Sequence, residues 1–175
     1  MDVRLAVTSK RDVRRYTGRP VDDAVAERIL DAGRLTGSAR NRQPTRFVIP
    51  EGAALHAVAR AVYAPGSVLG AGLVVALVVS PGGGLVDFDA GRAAQNMMLA
   101  AWADGVGSCP NGVADPEAMS AALGVDAPER VVVVLSFGEP AVARDPGRRT
   151  PEEWSRGANR MPLASVVRRV SEPRG

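Results

Sequence analysis

Only one cysteine, Cys109, occurs in the 175 residues. No intrachain disulfide can form, so a disulfide-stapled miniprotein is excluded and the chain suits a reducing compartment. There is also only one histidine, His56. One His and one Cys cannot furnish a zinc ligand set, and no metal is expected. A Ser-His-Asp hydrolase would have to use His56, and the G-x-S-x-G elbow that would accompany it is missing. Aromatic residues are scarce at 4%, so the core must be built from Val, Leu and Ala. The longest apolar stretch, Val68 to Val79, falls short of the ~20 residues of a membrane span. Met1 to Arg15 carries charge throughout and has no apolar centre of signal-peptide length. The expectation is a cytoplasmic protein with no membrane partner. A G-x-G-x-x-G following a first strand is lacking, which leaves a Rossmann dinucleotide site unsupported.

What remains is ordinary globular composition, 46% hydrophobic and 23% charged, in a length that suits one domain or one subunit of a small oligomer. The net charge is +3, and Lys10 is the only lysine among 22 basic residues. The arginines cluster. Lys10, Arg11, Arg14 and Arg15 stand near one end, and Arg144, Arg148 and Arg149 near the other. Two clusters so far apart can converge on one anion. For any single arginine the plain reading is solvated charge. A nucleic-acid surface is the other use of such patches, but only Tyr16 interleaves an aromatic, and no nucleic-acid partner is expected.

Patterning supplies the elements. From Val21 the period is helical: Asp22 or Asp23 caps, Val25, Ile29, Ala32 and Gly33 share a face, and Gly37 closes the helix. Arg46–Ile49 reads as a strand stopped by Pro50, and Ala53–Tyr63 as a weaker helix broken at Pro65-Gly66. Leu73–Ser80 is apolar on both faces, as a doubly covered central strand must be. Pro81–Gly84 is a flexible loop. Asp89 is placed to cap a helix to about Ala103, whose only polar members on the outer face are Arg92, Gln95 and Asn96. Such a helix is buried nearly all round, either at a subunit interface or as the central helix of a monomer. Asp115-Pro116 opens a helix to Leu123, and Arg130–Phe137 is a second fully apolar strand. The polar tail from Ala141 to Gly175 carries Trp154, Met161, Leu163, Val166 and Val167, which call for burial, for example by wrapping a partner subunit.

Four segments in order resemble the nitroreductase family of flavin oxidoreductases. Lys10-Arg11-Asp12-Val13-Arg14-Arg15-Tyr16, with Arg19-Pro20-Val21, is similar to R-R-[SD]-x-R-x-[FY] and its trailing P-V. Gly37 to Val48 is similar to P-S-x-x-N-x-Q-P-W-x-F. Asp89 to Met97 is similar to D-x-G-x-A-x-Q-N and runs into Gly105-Val106-Gly107-Ser108, like G-x-G-[ST]. Gly138-Glu139-Pro140 and Arg148-Arg149-Thr150-Pro151 resemble the closing G-x-P and R-[KR]-x-P.

The resemblance implies an α+β fold, a mixed sheet wrapped by helices, in an intertwined homodimer with two FMN sites at the interface. Residues 1–150 would form the FMN-binding domain, and 151–175 a tail packing on the partner subunit. It implies ping-pong transfer of reducing equivalents from NADH or NADPH to a flat acceptor such as a nitroaromatic or quinone. Lys10, Arg11 and Arg14 would bind the phosphate and ribityl end, completed by Arg148 and Arg149, the planar donor fork of arginine suiting a phosphate. Asp12 stands where many members have Ser; it would take a ribityl hydroxyl or orient an arginine. Gly37, Ser38 and Ala39 match a segment that reaches the flavin from the partner chain. Asn41 and Gln43 either touch the flavin or cap the turn before the strand. The loop Pro110–Val113, with Asn111, Gly112 and Val113, would lay backbone against the reactive edge, Gly112 N–H toward N5. No side chain is needed as a base, because the hydride chemistry is the flavin's own.

The chain departs from the family between Arg60 and Gly72, where it is short; Tyr63 and Ser67 are the only candidates there for the polar contact members make to the pyrimidine edge. Thr45 replaces the usual Trp, and Arg40 a small residue. Two alternatives stand beside the main reading: a flavin-cleaving enzyme like the dimethylbenzimidazole synthases, which share R-R-D-x-R, and a flavin-binding protein without turnover.

Overall fold

A computed structural model describes residues 1–81 and 84–171. Gly82 and Gly83, the centre of the expected flexible loop, and the last four residues of the tail lie outside the described residues. The elements run α1 (Val3–Ser9), α2 (Asp23–Arg34), β1 (Thr45–Val48), α3 (Gly52–Arg60), α4 (Pro65–Leu69), β2 (Leu73–Val79) and α5 (Val86–Ala103). They continue with β3 (Gly107–Asn111), α6 (Pro116–Leu123), β4 (Arg130–Gly138), α7 (Pro151–Arg156) and α8 (Leu163–Val166). Two compact units form: Lys10–Asp145, and Met1–Ser9 together with Pro146–Gly175. Among the described residues no helix is long and apolar enough to cross a membrane.

The larger unit is built on a sheet of order β1-β2-β4-β3. Among the described residues all three ladders are antiparallel, and the one parallel pairing is the isolated bridge Asp12↔Ser108. The two fully apolar strands occupy the centre. Successive side chains point to opposite faces, so Val75, Leu77, Leu135 and Phe137 pack with Ile29 of α2 and Met97 and Ala101 of α5. Val74, Ala76 and Val134 pack on the other face with Val58 of α3 and Met119 of α6. Each of the Val, Leu, Ile, Phe and Met side chains among them contributes roughly 1.5–3 kcal/mol by leaving water. Helix α2 comes so near α5 that a Cβ on Gly33 would lie 2.8 Å from the Met97 sulfur.

Several boundaries differ from expectation. Asp22 caps α2 through Ala24 and Val25, but the helix ends at Arg34, three residues before Gly37. Pro65 does not simply break the chain; it opens α4, because its missing N–H is no loss in a first turn. Asp89 is not a cap. Helix α5 begins at Val86, which leaves Asp89 one turn inside it and buried. Pro110 and Asn111 belong to edge strand β3, pairing with Leu135 and Val134, rather than to a loop. An edge tolerates the missing proline N–H.

In the smaller unit α1 packs on α7, with an ion pair between Arg4 and Glu152 at 2.8 Å. Thr150 and Glu153 form a reciprocal capping box at the start of α7. The Trp154 indole N–H donates to the Pro146 carbonyl at 2.8 Å and is partly buried. Met161, Leu163, Val166 and Val167 are exposed in the single chain.

Candidate functional site

The basic segment at residues 10–16 is extended and fastened to β3. Val13 is buried, its N–H donates to the Ser108 carbonyl at 2.9 Å, and Asp12 bridges Ser108. The Lys10 ammonium lies 2.6 Å from the Asp12 carboxylate and 3.5 Å from the Met98 sulfur of α5. Arg14 approaches the other Asp12 oxygen at 4.0 Å, and the Arg11 guanidinium donates to the Lys10 carbonyl at 2.8 Å. Asp12 is thus the sole carboxylate in a stretch that also holds Lys10, Arg11, Arg14 and Arg15, which leaves a strong local excess of positive charge. The Asp12 carboxylate is thus paired closely with Lys10 and more distantly with Arg14. Next to it, the Ser108 hydroxyl is fully buried without a hydrogen-bond partner among the described residues. Burial pushes the adjoining Cys109 thiol above its usual range, and Arg14 pulls it part of the way back.

Three residues beyond Ser108, a strand distance of ~10 Å, β3 ends at Asn111, and Gly112 and Val113 follow it. The Asn111 amide is spent inside the protein. Its Nδ2 donates to the Cys109 and Val134 carbonyls at 3.1 Å each and to Ser136 Oγ at 3.2 Å, while Oδ1 accepts from Ser67 Oγ. The side chain of Asn111 therefore fixes the strand, and its backbone is what remains for a ligand. Ser67, a candidate for the pyrimidine edge, is buried in this same network. Val113 bridges Val62, and Tyr63 N–H donates to the Gly112 carbonyl at 3.3 Å. The exposed Tyr63 ring lies over Gly112: a Cβ there would come 3.2 Å from its Cδ2. Gly112 does not have positive φ, so its lack of a side chain serves close approach.

The loop between α2 and β1 brings together Gly37, Ser38, Ala39, Asn41 and Gln43. It contains a short 3-10 turn, Ala39–Asn41. Ser38 Oγ accepts from Gln43 N–H at 2.8 Å, closing the turn; the side chains of Asn41 and Gln43 are exposed. Gly37, Ser38 and Gln43 line a cleft of about 600 Å³ whose wall also includes Leu30 and Phe47 and whose rim carries Asp31. Asp89, Arg92 and Asn96, polar residues of α5 to which the sequence assigned no part in the site, hold this loop.

In the smaller unit Arg148 ends the 3-10 turn Pro146–Arg148, and the Arg149 guanidinium stacks 5.0 Å above the Trp154 ring.

A family model described as the nitroreductase family matches residues 7–78 and 85–139. A relative from Archaeoglobus fulgidus, provisionally named NADH dehydrogenase/NAD(P)H nitroreductase, is 29% identical over 151 residues, covering 79% of this chain and 86% of the relative. Among solved structures, a provisionally named nitroreductase from Desulfovibrio desulfuricans in complex with FMN matches with a TM-score of 0.81 at 26% identity over 99% of each chain. A nitroreductase family protein from Clostridium difficile 630 matches with a TM-score of 0.80 at 21% identity, over 96% of this chain and 98% of that one.

Proposed function

The chain belongs to the nitroreductase family, and from that premise we propose that it is an FMN-dependent NAD(P)H oxidoreductase acting as a homodimer on a flat acceptor. The observation that carries this reading is the shared strand β3. Its first half is fastened to the cationic segment through Ser108, and Gly112 follows its last residue, Asn111. A phosphate group and a planar ring system a ribityl length apart match those two stations. The donor set fits such a cofactor: Lys10, Arg11 and Arg14 meet the phosphate, Ser108 holds unused hydrogen-bonding capacity beside them, and Gly112 puts no side chain of its own between backbone and ring.

In this reading Asp12 keeps Lys10 and Arg14 aimed. Arg148 and Arg149 are assigned to the cofactor on the strength of their sequence match. The backbone of Asn111–Val113 faces the reactive edge, and the Gly112 N–H steers the proton and charge that arrive there. Gly37, Ser38 and Ala39, with Asn41 and Gln43 beside them, contact the flavin bound by the other subunit. The tail beyond residue 150 packs on that subunit, which covers its exposed Met161, Leu163, Val166 and Val167. When bound, FMN would supply the redox chemistry between NADH or NADPH and the acceptor, in ping-pong order.

The test is an absorbance spectrum of the purified protein after reconstitution with FMN, followed by anaerobic titration with NADH and NADPH. Flavin bands that bleach with a nicotinamide and return with a quinone or nitroaromatic support the reading. A protein that retains no flavin overturns it, and consumption of the flavin itself under oxygen favours the flavin-cleaving alternative.

A further inference from the structure

We propose that Asp89, Arg92 and Asn96 of α5 are positioning residues for the flavin, acting through the loop that follows α2. The proposal rests on the assignment of Gly37–Ala39 to the flavin.

The three side chains grip the loop at Thr36, Gly37 and Ala39. Asn96 Nδ2 donates to Thr36 Oγ1 at 2.8 Å, Arg92 donates to the Gly37 carbonyl at 3.0 Å, and Asp89 Oδ2 accepts from Ala39 N–H at 3.0 Å. A spacing of three and then four residues puts them on one stripe of the helix. Arg92 also reaches the second Asp89 oxygen at 3.4 Å, joining two of the grips. A Cβ at Gly37 would lie in ordinary contact with the guanidinium, at 3.4 Å.

Two features set this arrangement apart from routine loop closure. Asp89 is 6% exposed, and a carboxylate withdrawn from water is costly unless it is paired and hydrogen-bonded. In addition, the loop holds three non-glycine residues in the left-handed region: Arg40 at φ 53, Asn41 at φ 55 and Gln43 at φ 50. Such conformations persist only where the surroundings over-determine them, and they concentrate at ligand clamps. A helix and a strand can be joined by an unstrained turn. Here the helix stripe holds a strained one, with Gly37 and Ser38 on the wall of the cleft.

The experiment uses the full-length protein, stripped of flavin and titrated with FMN, with visible circular dichroism of the bound flavin and thermal melting of both forms. Asp89→Ala is expected to raise the FMN Kd tenfold or more and to alter the flavin dichroism. Asp89→Asn keeps an oxygen acceptor for Ala39 N–H and is expected to stay within about threefold of wild type. Arg92→Gln, at a half-exposed side chain, serves if Asp89→Ala does not fold; it is expected to raise Kd about threefold and shift the dichroism in the same direction. Wild-type affinity and dichroism in Asp89→Ala, or in Arg92→Gln where Asp89→Ala does not fold, would overturn the proposal. Ala39→Trp separates the two assignments. If it changes the flavin signal while the α5 variants do not, the loop touches the flavin and the positioning role is wrong. If Ala39→Trp leaves the signal unchanged, the loop lies away from the flavin and the inference falls with it.

Discussion

The phenol of Tyr16, on the basic N-terminal segment, ends 3.0 Å from the hydroxyl of Ser136 in β4 and 3.1 Å from its carbonyl. This contact crosses 120 residues of sequence. It ties the cationic segment to the same Ser136 hydroxyl that accepts from the Asn111 amide. Burial raises the Tyr16 pKa to about 12, more than its hydrogen bond to Ser136 lowers it. The folded protein thus holds the phenolic proton more tightly than the unfolded chain, whose value is near 10. The stabilisation is fully present below pH 10 and is lost as pH rises toward 12. Urea denaturation across pH 8 to 12 should show this decline, and Tyr16→Phe should flatten it while lowering stability at neutral pH. An equally steep decline in the variant would assign the alkaline transition to another group.

Arg14→Ala and Arg149→Ala should each weaken FMN binding ten- to hundredfold, because a charge-assisted bond to phosphate is worth ~1.5–3 kcal/mol. Arg14 is a half-exposed side chain and Arg149 stacks on Trp154, so neither loss should unfold the protein. Fluorescence titration measures both. A variant that retains wild-type affinity removes its arginine from the site.

Gly112→Val should slow flavin reduction about 100-fold while leaving FMN bound. The added branches meet the Tyr63 ring, 3.2 Å from the first carbon. That ring is 78% exposed and free to swing away, so the fold should survive and the damage should fall on the approach of the backbone to the ring system. A misplacement near 1 Å is enough for such a loss. Stopped-flow reduction by the preferred nicotinamide decides it: an unchanged rate makes Gly112 a packing residue for Tyr63 and nothing more.

Gly72→Ala should destabilise the protein by ~3 kcal/mol or more. A Cβ at this position would stand 2.1 Å from the Arg19 carbonyl oxygen and 2.9 Å from the Val21 nitrogen. Both are backbone atoms, which cannot rotate aside as the Tyr63 ring can. Gly72 N–H also donates to the Phe137 carbonyl at 2.8 Å, so the segment has no slack to yield. Chemical denaturation of the two proteins side by side gives the difference, and a shift below 1 kcal/mol would mean the 19–21 segment gives way easily.

The parts of the fold that were legible share one property: the information was local. Strands β2 and β4 announce themselves because a strand covered on both faces has no polar side, and Asp115-Pro116 opens α6 with a cap and a first-turn proline. Strand β3 was not legible. Gly-Ser-Cys-Pro-Asn has little intrinsic strand preference and is drawn into the sheet by its ladder with β4. Asp89 misled for a related reason. An aspartate ahead of an apolar run is the signature of a cap, but its real partner, Ala39 N–H, lies 50 residues away. The cationic segment was visible as charge, while its attachment to Ser108 was not, since a single backbone bridge leaves no trace in side-chain pattern.

Strand β3 is an edge strand of five residues, and in the proposed site the cofactor engages it at both its beginning and its end. An edge strand opens more readily than the sheet's centre, even one fastened at Ser108 and Asn111. Ligand bound across it holds it shut, with a gain that grows as the logarithm of the ligand concentration over Kd. If the proposed site is right, FMN should therefore protect this edge from proteolysis in proportion to its occupancy.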